Sequence, residues 1–542
     1  MNGPSDRGPL KSEIMLTITV VHIVLLLFPF GCLISFFLVK YLRNGFVASW
    51  VLVLGMGTAL FFLLETSVFL RAMLYLFLPW GFVNLLYYVF IPGREANAID
   101  KKYRLVLHTK GSKVVLDNIR RGISIIGAAG SGKTESVVYN LFKHFAANLF
   151  CGVMHDYKNF EITEMAYPLF KGTDRKFHIV SFDPIYSRVN PIAPRYLPDE
   201  ESVHEISRVL LENLLELKES GSSGTSKFFQ DAAEGLISGL IWRLKTNYQD
   251  YCTIPHMISL YQHLDTEHLV RFLSADLTSK AMADAFISGV DSDRQTAGVK
   301  STLANAFKKI STHKIFMALS ADEVSLDVNN PQNPSVISIV NDPKKETSLS
   351  PVIATIIHTI SKQMSDRNRL TSFFLIEEAS TIRLLNMHRI PATLRSYDIA
   401  TVYVLQDKIQ NDMLYGDKAS KAILGNLSYQ FFGKANDPDT AKYYERFFEI
   451  VKKQSKSVNK GYNLNFDTRV TQSEREVSKT RADAFYGLRQ GEFVIFFDGK
   501  DKKVLFKFPK KTQKLPAPNA KTQAELKFNF EKIHGEVKSI LK

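Results

Sequence analysis

The sequence predicts an α/β fold: a mostly parallel sheet covered by helices on both faces, interrupted by an inserted all-helical domain and preceded by an α-helical transmembrane region. Three observations carry this prediction. Five short runs rich in Val, Ile and Phe, each ending in polar or charged residues, alternate with amphipathic stretches beyond residue 100, as strands buried between crossover helices require. Between Pro198 and Lys314 the strand pattern stops and helix-periodic stretches take over. The first 91 residues contain uncharged apolar runs long enough to cross the ~30 Å hydrocarbon core of a bilayer.

The membrane region, residues 1–91, comes first. Residues 14–39 carry no formal charge and exceed the ~20 residues that span a bilayer, whereas a secretory signal has a shorter apolar core and a small-residue cleavage site. A second uncharged run covers Gly45–Leu64, and a third, Ala72–Ile91, ends in "YYVFIPGR", with aromatic residues where an interfacial belt sits. Lys40 and Arg43 lie between the first two runs, and Arg94, Lys101, Lys102 and Arg104 follow the third. With both basic groups in the cytoplasm the count is three spans and an outside N-terminus. Two spans result if one run lies in the interface or forms a helical hairpin.

Past the "IPGRE" boundary, "YRLVLHT" and "SKVVLDN" alternate apolar and polar residues and predict two short strands of a ribbon. "SIIGAAGSGKTESVVYNLF", residues 124–142, predicts a strand that breaks into small residues and restarts as a helix. Further strands are expected in "LFCGVMHDYKNFE", "FHIVSFDPIYSRVNPI", "SVISIVNDP", "TSFFLIEEAS" and "IATVYVLQD". The expected domains are therefore residues 92–197 and 315–508 as two parts of one α/β domain, with 198–314 inserted as an all-α domain. The insertion contains "ESVHEISRVLLENLLEL", "KFFQDAAEGLISGLIWRL" and "RQTAGVKSTLANAFKKI", with a polar loop at 218–227. "VKKQSKSVNKGYNLNFDTRVTQSEREVSK" is expected to be a long polar excursion, and residues 509–542 a Pro-punctuated, basic C-terminal tail with at most a terminal helix.

Composition narrows the function classes. Lys and Arg total 68 against 54 Asp and Glu, a net charge of +14 in 542 residues. The first 91 residues hold five basic and three acidic side chains, so most of the excess belongs to the rest. Such a balance favours polyanionic partners, nucleic acid or the acidic face of a membrane, although many ordinary surfaces are also basic. Cys32, Cys151 and Cys252 are far apart and form no CxxC pair, against a disulfide framework or a thiolate metal site. The chain has no HExxH, zinc-ligand spacing or nucleophile elbow, so hydrolytic chemistry other than on nucleotide is not indicated.

Gly127, four residues, then Gly132, Lys133 and Thr134 satisfy the P-loop spacing between the required strand and helix. The candidate nucleotide-binding set is Gly127, Ala128, Ala129, Gly130, Ser131, Gly132, Lys133, Thr134 and Glu135. Glycines let backbone N–H groups close around phosphate oxygens and the helix start adds its positive end; Lys133 reaches the β and γ phosphates, and Thr134 offers its hydroxyl to Mg²⁺. ATP and Mg²⁺ are the implied ligands. In "FFLIEEAS" a buried strand delivers Glu377 and Glu378 to the carboxyl edge of the sheet, where ligands of open α/β sheets bind. Glu377 is expected to hold Mg²⁺, through water, and Glu378 to orient or deprotonate the attacking water. The alternative is two glutamates that merely cap a helix. "LRSYDIATVYVLQ" runs from Arg395 to Gln406, a strand-end amide placed to sense the γ-phosphate. Arg395 suits either an arginine finger reaching a neighbouring subunit or a surface ion pair. His155, beside Asp156, is expected to be a strand-end histidine, and Asp183 is either functional or a turn former before Pro184.

The ordered set "GAAGSGKTES", "HDYKNFE", "FDPIYSRVNPI", "FLIEEAS", "LRSYDIATVYVLQ" and "ILGNLSYQFFGKANDPDTAKYYE" resembles the type IV secretion coupling proteins. These are conjugative DNA-transfer ATPases of the TraG/TraD type, a branch of the RecA-like hexameric motors. The resemblance covers most of residues 100–500. It implies a RecA-like P-loop NTPase domain with an inserted all-α domain, in a homo-hexamer anchored in the cell inner (cytoplasmic) membrane by several spans, with the ATPase domain in the cytoplasm. By position it assigns Lys133 and Thr134 to phosphate and Mg²⁺, Glu377 and Glu378 to the acidic pair, Gln406 to the sensor and Arg395 to the arginine acting in trans. Two departures stand out. Glu377 replaces the usual Asp, and Asp156-Tyr157-Lys158-Asn159-Phe160-Glu161 is one residue longer than the family's Asp-Pro-Lys-Gly-Glu, so no role is carried over to Glu161.

The expected function is an ATPase that couples relaxase-bound DNA, single- or double-stranded and bound without regard to sequence, to a type IV secretion channel and drives its translocation. Alternatives are a receptor for secreted protein substrates in which nucleotide mainly controls assembly, or another RecA-like DNA translocase.

Overall fold

The computed structural model describes residues 8–41, 45–90, 98–216, 224–460, 468–508 and 514–541. They form two compact units, Met1–Lys102 and Tyr103–Lys542. Most of the polar loop expected at 218–227 lies outside the described residues.

The first unit is helical: Gly8–Tyr41, Gly45–Leu63, and a continuous run Thr66–Phe90 whose middle turn, Met73–Phe77, is wider than an α-turn. Trp80, Leu76, Phe77 and Val53 form its small core. Gly31 makes room for that core, because a Cβ there would stand 2.5 Å from the Trp80 ring. Two polar pairs lie inside it: Trp80 Nε1 donates to Ser35 Oγ at 2.9 Å and Ser49 Oγ to Asn84 Oδ1 at 2.7 Å. Among the described residues two helices are long and apolar enough to cross a membrane, Gly45–Leu63 and Thr66–Phe90. These are the second and third of the expected spans. The run at 14–39 belongs to one long helix in which the described apolar stretch is the shorter Val24–Lys40. The last run begins earlier than expected, at Thr66, because Arg71 is absorbed into the helix.

The second unit is built on β3 (Ile123–Ile126), β4 (Cys151–Asp156), β5 (Lys176–Val180), β6 (Ser335–Val340), β7 (Ser372–Ile376), β8 (Ile399–Leu405) and β9 (Tyr429–Phe432), preceded by a hairpin of β1 (Leu105–Thr109) and β2 (Ser112–Leu116). The seven are parallel and lie in the order β9-β3-β8-β7-β4-β6-β5, extended by antiparallel β12 (Glu492–Phe497) and β13 (Lys500–Leu505) beyond β9. Every residue of β3, β4, β6, β7, β8 and β9 is buried, which is why these strands appear in the sequence as mostly apolar runs without polar alternation. The β12–β13 hairpin turns at Asp498-Gly499, whose φ values of +48° and +71° are those of a two-residue type I′ turn.

The strand β10 (Ile450–Lys460) pairs antiparallel with β11 (Thr468–Ser478), from Ile450 opposite Ser478 to Lys460 opposite Thr468. This corrects the expected polar excursion; the tip, 461–467, lies outside the described residues. Among the described residues the ribbon pairs with no other strand, and its sequence lacks the apolar alternation that marks a half-buried strand.

Between β5 and β6 the described elements are helical. Among them Glu200–Leu214, Ile254–His263, Thr266–Ser274, Asp293–Ile310 and His313–Leu319 open on Asp199, Thr253, Asp265, Ser292 and Thr312, each accepting a backbone N–H in its helix's first turn. Glu200–Leu214 packs on Glu346–Met364, the helix that follows β6, and one continuous core joins insertion and sheet. The C-terminus holds the terminal helix that the sequence allowed for. Residues 523–540 are a helix opened by a Thr522–Glu525 capping box, and Leu526, Ile533 and Val537 are buried as it packs on Ile254–His263 and His313–Leu319. Its three lysines balance its three glutamates, so the basic character of 509–542 lies ahead of the helix.

Candidate nucleotide-binding site

The P-loop leaves the sheet after Ile126. Gly127 N–H donates to Leu405 O at 3.2 Å and Ala128 N–H to Lys434 O at 2.7 Å, tying the loop to the ends of β8 and β9. Gly127 is pressed on Gly433: a Cβ there would stand 3.1 Å from Gly433 Cα. Gly130 and Gly132 hold left-handed φ values of +75° and +84°, which glycine adopts without steric cost. Gly491 N–H braces the loop by donating to Ser131 O at 2.9 Å. A wide helical turn, Lys133–Val138, then runs into the helix Tyr139–Ala147, and the amides of such a first turn have no partner four residues back. Ala129 and Gly130 are exposed at the tip and Glu135 is half-buried on the first turn. Lys133 is buried and folds back over the loop, its Nζ donating to Gly127 O at 2.5 Å and Ala128 O at 3.4 Å. Burial lowers the pKa of this ammonium, against the pull of Glu378 and Glu377.

Strand β7 delivers the acids to the same edge. Glu377 and Glu378 are 1% and 2% exposed. Thr134 Oγ1 donates to Glu377 Oε1 at 3.3 Å, and Tyr157 N–H to its Oε2 at 3.3 Å. Burial pushes the Glu377 carboxyl well above its usual range, and the nearby Asp156 adds to the effect. Gln406, at the end of β8, donates from Nε2 to Glu378 Oε1 at 3.1 Å. Glu378 itself sits at φ +46°, a left-handed conformation that a non-glycine residue keeps only where its surroundings enforce it.

The structure thus brings Lys133, Thr134, Glu377, Glu378 and Gln406 together, and adds one residue that sequence reasoning passed over. Lys158 Nζ lies 3.1 Å from Glu378 Oε1, 3.6 Å from Glu377 Oε1 and 3.8 Å from Glu161 Oε2. Burial opposes its charge, but the carboxylates of Glu377, Glu378 and Glu161 prevail and raise its pKa. The signal was present in the quoted "HDYKNFE": a lysine two residues past a buried strand that neighbours the acid-bearing one. The extra residue in this loop is accommodated by Asn159 and Phe160, both at positive φ, +50° and +76°.

Asp156 and His155 have structural roles. Asp156 Oδ2 accepts from Thr163 N–H at 2.8 Å and Thr163 Oγ1 at 2.5 Å, fixing the helix Glu161–Phe170 to the strand end. His155 is fully buried, lies 2.8 Å through Nδ1 from the Glu377 backbone oxygen, and has its pKa lowered to about 4 by burial. It is a neutral donor that positions Glu377. Asp183 is an ion-pair partner of Lys314 and Lys345 at 2.6 and 2.8 Å.

Arg395 is not brought to this site. It is exposed on the short helix Ile390–Arg395, which packs on β8 and on residues 119–121. Those residues precede β3, so Arg395 lies at the amino edge of the strands, opposite the edge that carries Lys133 and the acids.

The residues fit a nucleotide with Mg²⁺. Among the described residues Ser131 Oγ is buried without a hydrogen-bond partner, the Lys133 ammonium is engaged by loop carbonyls, and the paired Thr134 hydroxyl and Glu377 carboxylate are the hard oxygen donors that Mg²⁺ takes. Fold and site together define a P-loop nucleotide-binding protein with an inserted helical domain. The chain belongs to the type IV secretory system conjugative DNA transfer family, whose sequence model matches residues 96–492. Among solved structures it is similar to the bacterial conjugative coupling protein TrwB. The unbound form without its first 70 residues matches at a TM-score of 0.61 and 13% identity, over 77% of this chain and 92% of that one. TrwB with ADP and Mg²⁺ matches at 0.59 and 13%, over 78% and 94%, and TrwB with the ATP analogue ADPNP at 0.56 and 14%, over 74% and 89%. No curated protein matches the chain in sequence.

Proposed function

We propose that this chain is a membrane-anchored ATPase that couples relaxase-bound DNA to a type IV secretion channel and drives its translocation. The observation that carries the reading is the convergence of Lys133, Thr134, Glu377, Glu378 and Gln406 on one sheet edge, in a chain of a DNA transfer family. The TrwB complexes with ADP and Mg²⁺ and with ADPNP support ATP and Mg²⁺ as its ligands. The two candidate spans, Gly45–Leu63 and Thr66–Phe90, support the anchor in the inner membrane.

In this mechanism Lys133 would exchange its loop carbonyls for the β and γ phosphates, while Thr134 and Glu377 would hold Mg²⁺, which would neutralise phosphate charge. Glu378, aligned by Gln406 and Lys158, orients the attacking water and accepts its proton. Loss of the γ-phosphate alters the Gln406–Glu378 contact. Arg395, exposed on the opposite edge, serves the site of an adjacent copy in a homo-hexamer, where a guanidinium stabilises charge on the transferring phosphoryl group.

The test is ATP hydrolysis by the detergent-purified full chain at low salt, with and without single- or double-stranded DNA. DNA is expected to raise the rate and Lys133→Ala to abolish it. Equal wild-type rates with and without DNA would overturn the motor reading.

A further inference from the structure

The flanks of the P-loop differ in what they meet. The Gly127–Ala128 side is closed by the bonds to Leu405 and Lys434, and the Thr134 side by Glu377. On the Ser131–Gly132 side the neighbours are Gln490, Gly491 and Phe508: a Cβ placed on Gly132 would stand 3.0 Å from Gly491 N, 3.2 Å from Phe508 Cε1 and 3.3 Å from Gln490 Cγ. A Cβ on Gly491 would stand 2.9 Å from Phe508 Cζ. The Phe508 ring therefore rests with its edge between two glycines, one of them the P-loop's own. Its backbone is placed by Phe506, which is buried and donates its N–H to Gly491 O at 3.0 Å. Yet Phe508 is 44% exposed. A large apolar side chain wedged against two glycines, yet nearly half exposed beside a phosphate loop, matches a flat apolar partner. Gln490, also exposed, supplies a polar rim.

We propose that Phe508 is the base-stacking residue of the nucleotide site. A nucleoside triphosphate with its phosphates along Gly130–Thr134 has its sugar and base leaving over Gly132, and there the base lies on the Phe508 ring. Stacking is indifferent to base identity because every base has a π-face. The site accordingly takes adenine and guanine nucleotides with similar affinity. The two glycines acquire a further role: a side chain at Gly132 or Gly491 would displace the ring. This proposal rests on the nucleotide reading of the P-loop.

The experiment is calorimetric titration of the detergent-purified full chain with Mg-ADP, Mg-GDP and magnesium tripolyphosphate, which has the phosphates but no base. Phe508→Ala is expected to weaken both nucleotides by about tenfold, leave tripolyphosphate unchanged, and be rescued by Phe508→Tyr. Phe508→Leu, which keeps an apolar contact with Gly491, is expected to show the same loss confined to the nucleotides. An equal loss for tripolyphosphate would make Phe508 a brace of the loop, and unchanged nucleotide affinity would remove it from the site; either overturns the proposal. If wild-type protein binds none of the three ligands, the nucleotide reading itself fails.

Discussion

Lys158 provides the sharpest test of the site's electrostatics. Its ammonium lies 3.1 Å and 3.6 Å from two carboxylates that are almost fully buried. At an effective dielectric constant of about 20 each contact is worth about 5 kcal/mol gross. Desolvation of the acids and the 35% exposure of the Lys158 side chain offset most of this, leaving about 2 kcal/mol net. Lys158→Met is therefore expected to destabilise the nucleotide-free protein by about 2 kcal/mol at pH 8. The cost should shrink at pH 6. Glu377 has a folded-state pKa raised above its unfolded value, so its contribution to stability is full below the unfolded pKa and is lost as pH rises through the folded one. Removing Lys158 pushes that folded pKa higher still, so the variant loses more stability than wild type between pH 6 and pH 8. Thermal melts of both proteins at the two pH values, without Mg²⁺, measure the difference. Equal destabilisation at both, or a larger loss at pH 6, would show that Lys158 acts through packing and refute the charge argument.

Three further expectations concern separate parts of the molecule. Gln406→Ala should lower kcat for ATP hydrolysis by about 10- to 100-fold with little change in ADP affinity, since the amide aligns Glu378 without gripping phosphate; a matching loss of ADP affinity, by titration, would refute this. Glu205, whose pKa is lowered to about 2 by hydrogen bonds from His358 and Lys362 against the effect of burial, contributes stability above the usual glutamate range that is lost as pH falls through about 2. Glu205→Gln should cost about 1 kcal/mol at neutral pH after solvent screening, with the melting curves converging in acid; divergence there would contradict the assignment. If Arg395 acts in trans, inactive Arg395→Ala and inactive Glu378→Gln proteins should regain part of the hydrolysis rate when co-assembled, and no recovery in a verified mixed assembly would remove Arg395 from catalysis.

The parallel strands were legible because burial on both faces leaves continuous apolar runs such as "SVISIV" and "IATVYVL". The phosphate loop and acid pair were legible because their chemistry demands particular residue types at strand ends. Other features were hidden for equally physical reasons. Strand β9 is only four residues long, whereas β12–β13 carries a legible signal that went unused, the run "FVIFF" directly before the Asp498-Gly499 turn. The β10–β11 ribbon lacks an apolar alternation, so nothing in its sequence separates it from a polar loop. Lys158 and Phe508 matter through neighbours distant in sequence, and no local spacing reveals that. Arg395 was found by motif, and its place ahead of the strand that ends at Gln406 already sets it at the opposite edge.

One strand joins two of these features. β8 begins just after the helix that carries Arg395 and ends at Gln406; its seven residues span roughly 20 Å at about 3.3 Å each. Buried throughout between β3 and β7, it behaves as a stiff connecting rod. In a closed ring of copies, such a rod would link the fuel state sensed at one protomer's Gln406 to the guanidinium offered to the next, so firing order around the ring would be set by a single rigid piece of backbone.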